Sequence, residues 1–196
     1  NEKYLDDVSL EGLTVSMDIA QSVADAEIVV LALPSHVVLS VVDDLLPHLR
    51  DEQILLDLAK GLAPGDQMIS EVISEKLEAA KLACRLCVMM GPTIAPELAR
   101  GVYTTALVTS DDVILAGELA AILTTKTLKL SAATDSLGSE YWGAFKNVIA
   151  LACGVVDGLK NDGRGGDNLK AALFTSGYRE AVRVLPLMGA DPETAL

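Results

Sequence analysis

"EIVVLAL", residues 27–33, decides the fold. It is a near-continuous apolar run, rich in β-branched side chains. A strand with water on one face alternates polar and apolar residues; a strand covered on both faces does not. The run therefore predicts a buried strand in a layered α/β structure. It ends at Pro34 and Ser35, after which "HVVLSVVDDLLPHL" takes up helical spacing.

The same alternation continues outward. "QILLDLA" (53–59) is a second strand, followed by the loop "KGLAPGD". "DQMISEVISEKLEAA" (66–80) is an amphipathic helix and "RLCVMM" (85–90) a third strand. "GPTIAPELARG" opens with turn residues and holds a short helix. "TTALVTS" (104–110) and "TLKLSAA" (127–133) flank a helix begun by Asp111 and Asp112, good N-terminal residues. Strand and helix at this spacing predict βαβ units and a mainly parallel sheet.

After about residue 135 no strand pattern recurs. "DSLGSEYWGAFKNVIALACGVVDGLKN" is one long helical pattern, broken by "GRGGD". "NLKAALFTSGYREAVRVLPLM" is a second. "GADPETAL" starts a third, with Asp191 as cap and Pro192 in its first turn. The prediction is a parallel-sheet domain over 1–135 and an all-α helical domain over 136–196.

Composition narrows the function. The 196 residues carry a net charge of −13, with no Lys/Arg run and few aromatics. That argues against nucleic acid or anionic lipid as a partner of the whole surface. A mean hydropathy of +0.38 allows a large core. No uninterrupted apolar run of roughly 18 residues stands out, so no membrane insertion is expected. "NEKYLDDVSLEG" has neither a basic start nor an apolar core, so it does not fit a signal peptide. It also lacks an initiating Met, and the chain is expected to begin inside a longer product. Cys84 and Cys87 have CxxC spacing, but inside a strand pattern. With one other cysteine, Cys153, and two histidines, His36 and His48, no metal site is expected. Free thiols in a reducing cytoplasm are the plain reading.

One lysine stands out. In "GAFKNVIALACG" (143–154) Lys146 interrupts a helix that otherwise looks buried. On a wheel, residues 145, 148, 149, 152, 155, 156 and 159 form an apolar core stripe. Residues 139, 143, 146, 150, 153 and 157 form another, mostly of small residues, with Lys146 among them. Small neighbours allow close approach, and the lysine points at whatever approaches. Such a lysine either snorkels to water or faces a cleft, where desolvation lowers its pKa and suits it to general-base work.

Ligands of open parallel sheets bind outside the carboxyl ends of the strands. Those ends carry Pro34 and Ser35, then Lys60 and Gly61, then Gly91, Pro92 and Thr93. Each alone is ordinary loop chemistry; together they line one edge. The amides and hydroxyl of Gly91 and Thr93, ahead of a short helix, are candidates to hold an anion.

"LPSH", "AKGL", "GPTIAPELARG", "GAFKNVIALACGVVDGL" and "KAALFTSGYREA", in this order, resemble the bacterial-type NAD(P)-dependent glycerol-3-phosphate dehydrogenases. The resemblance spans nearly the whole chain. It implies a Rossmann-like sheet, here incomplete, and reversible oxidation of sn-glycerol 3-phosphate to dihydroxyacetone phosphate, feeding glycerophospholipid synthesis. It further implies NAD or NADP as cofactor, a small-molecule substrate and a cytoplasmic homodimer. Lys146 matches the general base. Lys60 matches a lysine that contacts substrate and cofactor. Gly91, Thr93 and Asn147 match substrate-side positions, Ala95 a cofactor-side one, and Pro34 and Ser35 join the cofactor edge. Glu140 also matches.

There are departures. The family opens with a GxGxxG loop that this chain does not show, and "GRGGD" (163–167) lies between helices. The family also continues past "GADPET" to an aspartate beside the base and an Arg-Asn pair that grips phosphate. The 196 residues alone are therefore expected to bind NAD weakly and to turn over negligibly. Tyr141, Trp142 and Ser176 also depart from the pattern, and Trp142 is expected on the side of its helix away from Lys146. Two other readings stand beside this one: a 6-phosphogluconate or hydroxyisobutyrate type of dehydrogenase, and a non-catalytic dimerising remnant. The turn that chooses NAD over NADP is not in the sequence.

Overall fold

The computed structural model describes residues 5, 8, 9, 12–65, 67–160 and 162–194. The polar N-terminal stretch therefore lies largely outside the described residues, as do Asp66, Asn161 and the last two residues of "GADPETAL". Among the described residues, one five-stranded sheet runs β1 (Ile28–Leu31), β2 (Ile54–Asp57), β3 (Arg85–Met90), β4 (Thr104–Thr109), β5 (Leu128–Ala133), in chain order. The helices are α1 (Ile19–Val23), α2 (Ser35–Leu45), α3 (Ile69–Ala79), α4 (Ala95–Ala99), α5 (Val113–Leu123), α6 (Ser136–Lys160) and α7 (Asp167–Val184).

β2 and β3 are buried on both faces, but β1 departs from the expectation: at the sheet's edge it is covered on one face only, with Val29 and Leu31 buried and Val30 49% exposed. In β2, Leu55 packs with Val38, Val42, Ile69 and Ile73 of α2 and α3. Its neighbour Leu56 points the other way, into Cys87, Val108, Leu115 and Leu119 beneath α5. Successive side chains alternate across a strand, so a strand between two helical layers has no polar position to spare. The Asp112 carboxylate caps α5, accepting from the Ile114 and Leu115 N–H groups at 2.9 and 3.2 Å.

The sheet is mainly parallel, with one reversal. β1–β2, β2–β3 and β4–β5 are parallel, whereas β3 and β4 run antiparallel with Met90 opposite Leu107. The helix in the segment between them, α4, is only five residues long. It does not recross the sheet, so β4 starts at the end where β3 finishes. Gly91 is forced by this return. A Cβ there would stand 2.6 Å from the Ala106 Cβ, closer than two carbons can approach.

α6 lies across that same sheet end, but not on the stripe the wheel predicts. Its buried residues are Gly138, Ser139, Glu140, Trp142, Gly143 and Val156. Val148 and Val155, expected in the core, are 61% and 64% exposed. The small residues are what seat the helix: a Cβ on Gly143 would stand 2.8 Å from the Met90 sulfur. Trp142 corrects a second expectation. Four residues before Lys146, it lies on an adjoining surface of the helix. It leaves the cleft clear by packing with Ala181, Leu185 and Ala190, its ring 5.4 Å from that of Tyr178. By length and composition alone α6 could cross a bilayer. Its first half is tied to the sheet through Ser139 and Gly143, and to α3 through Glu140. α7 stops at Val184 and passes into a tighter helical turn, Leu185–Met188. In "GADPET" the Asp191 carboxylate accepts from the Glu193 N–H at 2.8 Å, capping a turn.

Candidate functional site

The ends of β2 and β3 and the middle of α6 meet in one hydrogen-bonded chain, with the end of β1 packed beside it. β2 finishes at Asp57, whose carboxylate accepts from the Ala59 N–H at 3.0 Å. This tight Asx turn aims the next residue, Lys60, across the end of the sheet. The Lys60 ammonium donates to the Thr93 hydroxyl at 2.9 Å. The Thr93 N–H donates to the Gly91 carbonyl at 2.9 Å, and the Lys146 ammonium donates to that same carbonyl. The β1 end closes one side: a Cβ on Gly61 would stand 3.0 Å from both Cβ and Oγ of Ser35. Sequence positions 35, 60–61, 91–93 and 146 are thus neighbours in space.

The electrostatics single out Lys146. Partial burial pulls its pKa down from 10.5 to about 8, and the positive charge of Lys60 pushes the same way. Lys60 is itself lowered by burial. Two ammonium groups held near each other and away from water each favour the neutral amine. An amine titrating near neutrality, on a rigid helix beside a second cation, can take a proton from a bound hydroxyl or return it.

Not every expected residue plays its expected part. The Thr93 N–H is taken up by Gly91, so the suggested anion cradle of paired amides does not form there. Its hydroxyl remains at the site, held by Lys60. Pro34, Ala95 and Asn147 are exposed. Ser35 is half-buried and begins α2.

One residue, Asp57, was not singled out in sequence, and another, Glu140, was named there without the partner it takes. Asp57 is fully buried, its Oδ2 has no hydrogen-bond partner, and burial raises its pKa to about 6. A lone acid inside "ILLDLA" was the available signal. Glu140 is 1% exposed, bonds to Ser70, and is raised to about 7 mainly by burial. No local pattern in sequence joins those two residues. A cleft of about 810 Å³ lies apart from the lysines, lined by Glu71, Glu75, Arg85, Asp112 and Ser136 among others. Among the described residues no group of three or more His, Cys, Asp or Glu side chains is placed to hold a metal ion. All three cysteines are free.

Sequence comparison places these residues among known proteins. Residues 1–116 match the family profile "NAD-dependent glycerol-3-phosphate dehydrogenase N-terminus", and residues 135–196 match the corresponding C-terminus profile. A glycerol-3-phosphate dehydrogenase [NAD(P)+] of Clostridium perfringens is 35% identical over 99% of this chain and 57% of its own length. One from Syntrophotalea carbinolica is 38% identical over the same shares. The chain therefore spans little more than half the length of these relatives. Among solved structures, glycerol-3-phosphate dehydrogenase from Coxiella burnetii superposes with a TM-score of 0.78 at 28% identity, over 90% of this chain and 52% of that one.

Proposed function

The chain belongs to the NAD-dependent glycerol-3-phosphate dehydrogenase family, and we propose that it is the part of such an enzyme that holds the general base. The reaction on this reading interconverts sn-glycerol 3-phosphate and dihydroxyacetone phosphate, the former a backbone for glycerophospholipids. The single observation that carries it is the convergence of Lys146 and Lys60 on the Gly91–Thr93 turn.

The chemistry follows from the geometry. Oxidation of a secondary alcohol removes a hydride from carbon and a proton from oxygen. A nicotinamide dinucleotide, when bound, exchanges the hydride. Lys146, with a pKa near 8, accepts the hydroxyl proton as its neutral amine, and as ammonium it polarises the carbonyl in the reverse direction. Lys60 supplies a second positive charge suited to the phosphate of the substrate. Gly91 admits close approach and, through its carbonyl, aims Lys146. Thr93 aims Lys60, and the exposed Asn147 orients substrate. Pro34, Ser35, Gly61 and Ala95 form the cofactor side. A side chain at Gly61 would press on Ser35, so glycine there lets the β1 and β2 ends lie close together, as the narrow edge a dinucleotide would cross requires. The change from sheet to helices between Ala133 and Ser136 supports a division into a dinucleotide-binding part, 1–135, and a substrate part, 136–196. The reading includes a cytoplasmic homodimer, in keeping with free thiols and with Val148, Leu151 and Val155 exposed on α6.

Initial rates with the complete gene product test this. Dihydroxyacetone phosphate should be reduced with NADH or NADPH. Oxidation of 6-phosphogluconate or hydroxyisobutyrate in place of glycerol 3-phosphate would move the assignment to those relatives.

A further inference from the structure

Glu140 sits in the second turn of α6, yet it completes the N-terminus of another helix. Its Oε1 accepts from the Ser70 backbone N–H at 3.2 Å and its Oε2 accepts from the Ser70 hydroxyl. Ser70 is the second residue of α3, where N–H groups lack intrahelical partners. The residue before α3, Met68, has no side-chain oxygen to offer, and Glu71 is turned back to the Met68 N–H at 2.8 Å. A carboxylate 70 residues away in sequence therefore serves as the cap. The pairing joins a helix of the C-terminal part to a helix of the sheet layer.

The placement bears on Lys146. α6 is one continuous helix, so Glu140 and Lys146 are rigidly linked, about 9 Å apart along its axis. Gly143, between them, rests on Met90, and just before Glu140 the Ser139 Oγ lies 3.2 Å from Thr109 Oγ1. Gly91, which receives Lys146, directly follows Met90. A small rotation or lift of α6 would therefore act first on the Lys146–Gly91 bond. Glu140 is the buried ionisable group among these contacts, and what faces it is acidic: Asp57 and Glu71 both disfavour its charge. A buried carboxyl among other acids is costly, and the hydrogen bonds from Ser70 are what offset that cost.

We propose that Glu140 is a positioning residue for Lys146: by capping α3 from α6, it fixes the height and rotation of α6 over the strand ends and so keeps the Lys146 amine buried beside Lys60. The catalytic consequence rests on the reading of Lys146 as general base; the positioning itself does not.

The test measures the titration of Lys146 by pH-dependent acylation with acetic anhydride, read by peptide mass spectrometry. It uses the complete gene product, its Glu140→Gln and Ser70→Ala variants, and the double variant, without substrate or cofactor. Lys160, about 21 Å further along α6, is the internal reference. In each variant the Lys146 midpoint should rise from about 8 towards the ordinary lysine value of 10.5 by about one pH unit or more, with Lys160 unchanged. The double variant should shift no further than the larger single shift. In steady-state kinetics kcat should fall about tenfold or more while KM for dihydroxyacetone phosphate changes less than about threefold. An unshifted Lys146 midpoint in folded variants overturns the proposal, whatever their melting temperatures. Should Glu140→Gln fail to fold, Ser70→Ala decides alone, since it removes a hydroxyl and keeps the backbone donor. A shifted midpoint in a protein that never reduces dihydroxyacetone phosphate would uphold the positioning and reject the assigned reaction.

Discussion

Lys146, in the middle of α6, donates its hydrogen bond to the carbonyl of Gly91, 55 residues earlier at the end of β3. The contact exists because β4 turns back beside β3 and α6 settles onto the resulting edge. Both depend on glycine. A Cβ at residue 91 would meet Ala106, and one at residue 143 would meet Met90. Gly91→Ala should cost about 1–3 kcal/mol through overpacking and also displace the acceptor of Lys146. Urea unfolding checks the first effect; a stability within about 0.5 kcal/mol of the parent chain would mean that β4 can move away.

Lys60 and Lys146 are coupled by charge. The positive charge of Lys60 helps lower the Lys146 pKa to about 8. Lys60→Met should therefore raise the Lys146 midpoint. Isotope-edited NMR of lysine side chains reads this directly. No upward movement would mean that burial alone sets the Lys146 value.

Stability should fall as pH rises through the weakly acidic range. Asp57 titrates near 6 and Glu140 near 7 in the folded chain, against ordinary values of 3.8 and 4.5. Between about pH 4 and 7 the unfolded chain has released these protons while the folded chain keeps them. The unfolded state then binds fewer protons, so the stability of the fold declines as pH rises. Each group contributes at most roughly 3 kcal/mol to that decline. Asp57→Asn should flatten its share, chiefly below pH 6. Lys146 acts oppositely: its folded value is depressed, so stability recovers as pH rises from about 8 towards 10.5. Denaturant titrations across this range test both signs.

The Asp112 cap of α5 offers a prediction independent of the site. Asp112→Ala should destabilise the fold by about 1 kcal/mol and leave the Lys146 titration unmoved. A shift of Lys146 in this variant would show that α5 and the strand ends are mechanically joined.

How much of this was legible in sequence varies by element. "RLCVMM" reads as a strand, and β3 covers those same residues, because an apolar run bounded by polar and turn residues leaves little choice. The direction of β4 was not legible. Periodicity fixes which face a residue takes, not which way its strand runs, and "GPTIAPELARG" is long enough to suggest a crossover. The α6 stripe misled for a related reason. A wheel ranks apolarity, whereas here small size decided the contact, and Gly143 against Met90 outweighed Val148 and Val155. Lys60 and Lys146 were legible as candidates because each is a charge in an apolar or strand-end setting. Their meeting at Gly91 and Thr93 is tertiary. So is the bond of Ser70 to Glu140, which no spacing in the chain announces.

The central claim is that Lys146 carries the proton. Its most direct test is kcat for dihydroxyacetone phosphate reduction by the complete gene product, with native Lys146 and with Lys146→Met, across pH 6 to 10. The account predicts a loss of about 10²–10⁴-fold in the variant, with disappearance of a kcat limb near pH 8. A variant within about tenfold of the native rate, with the same pH profile, would contradict it.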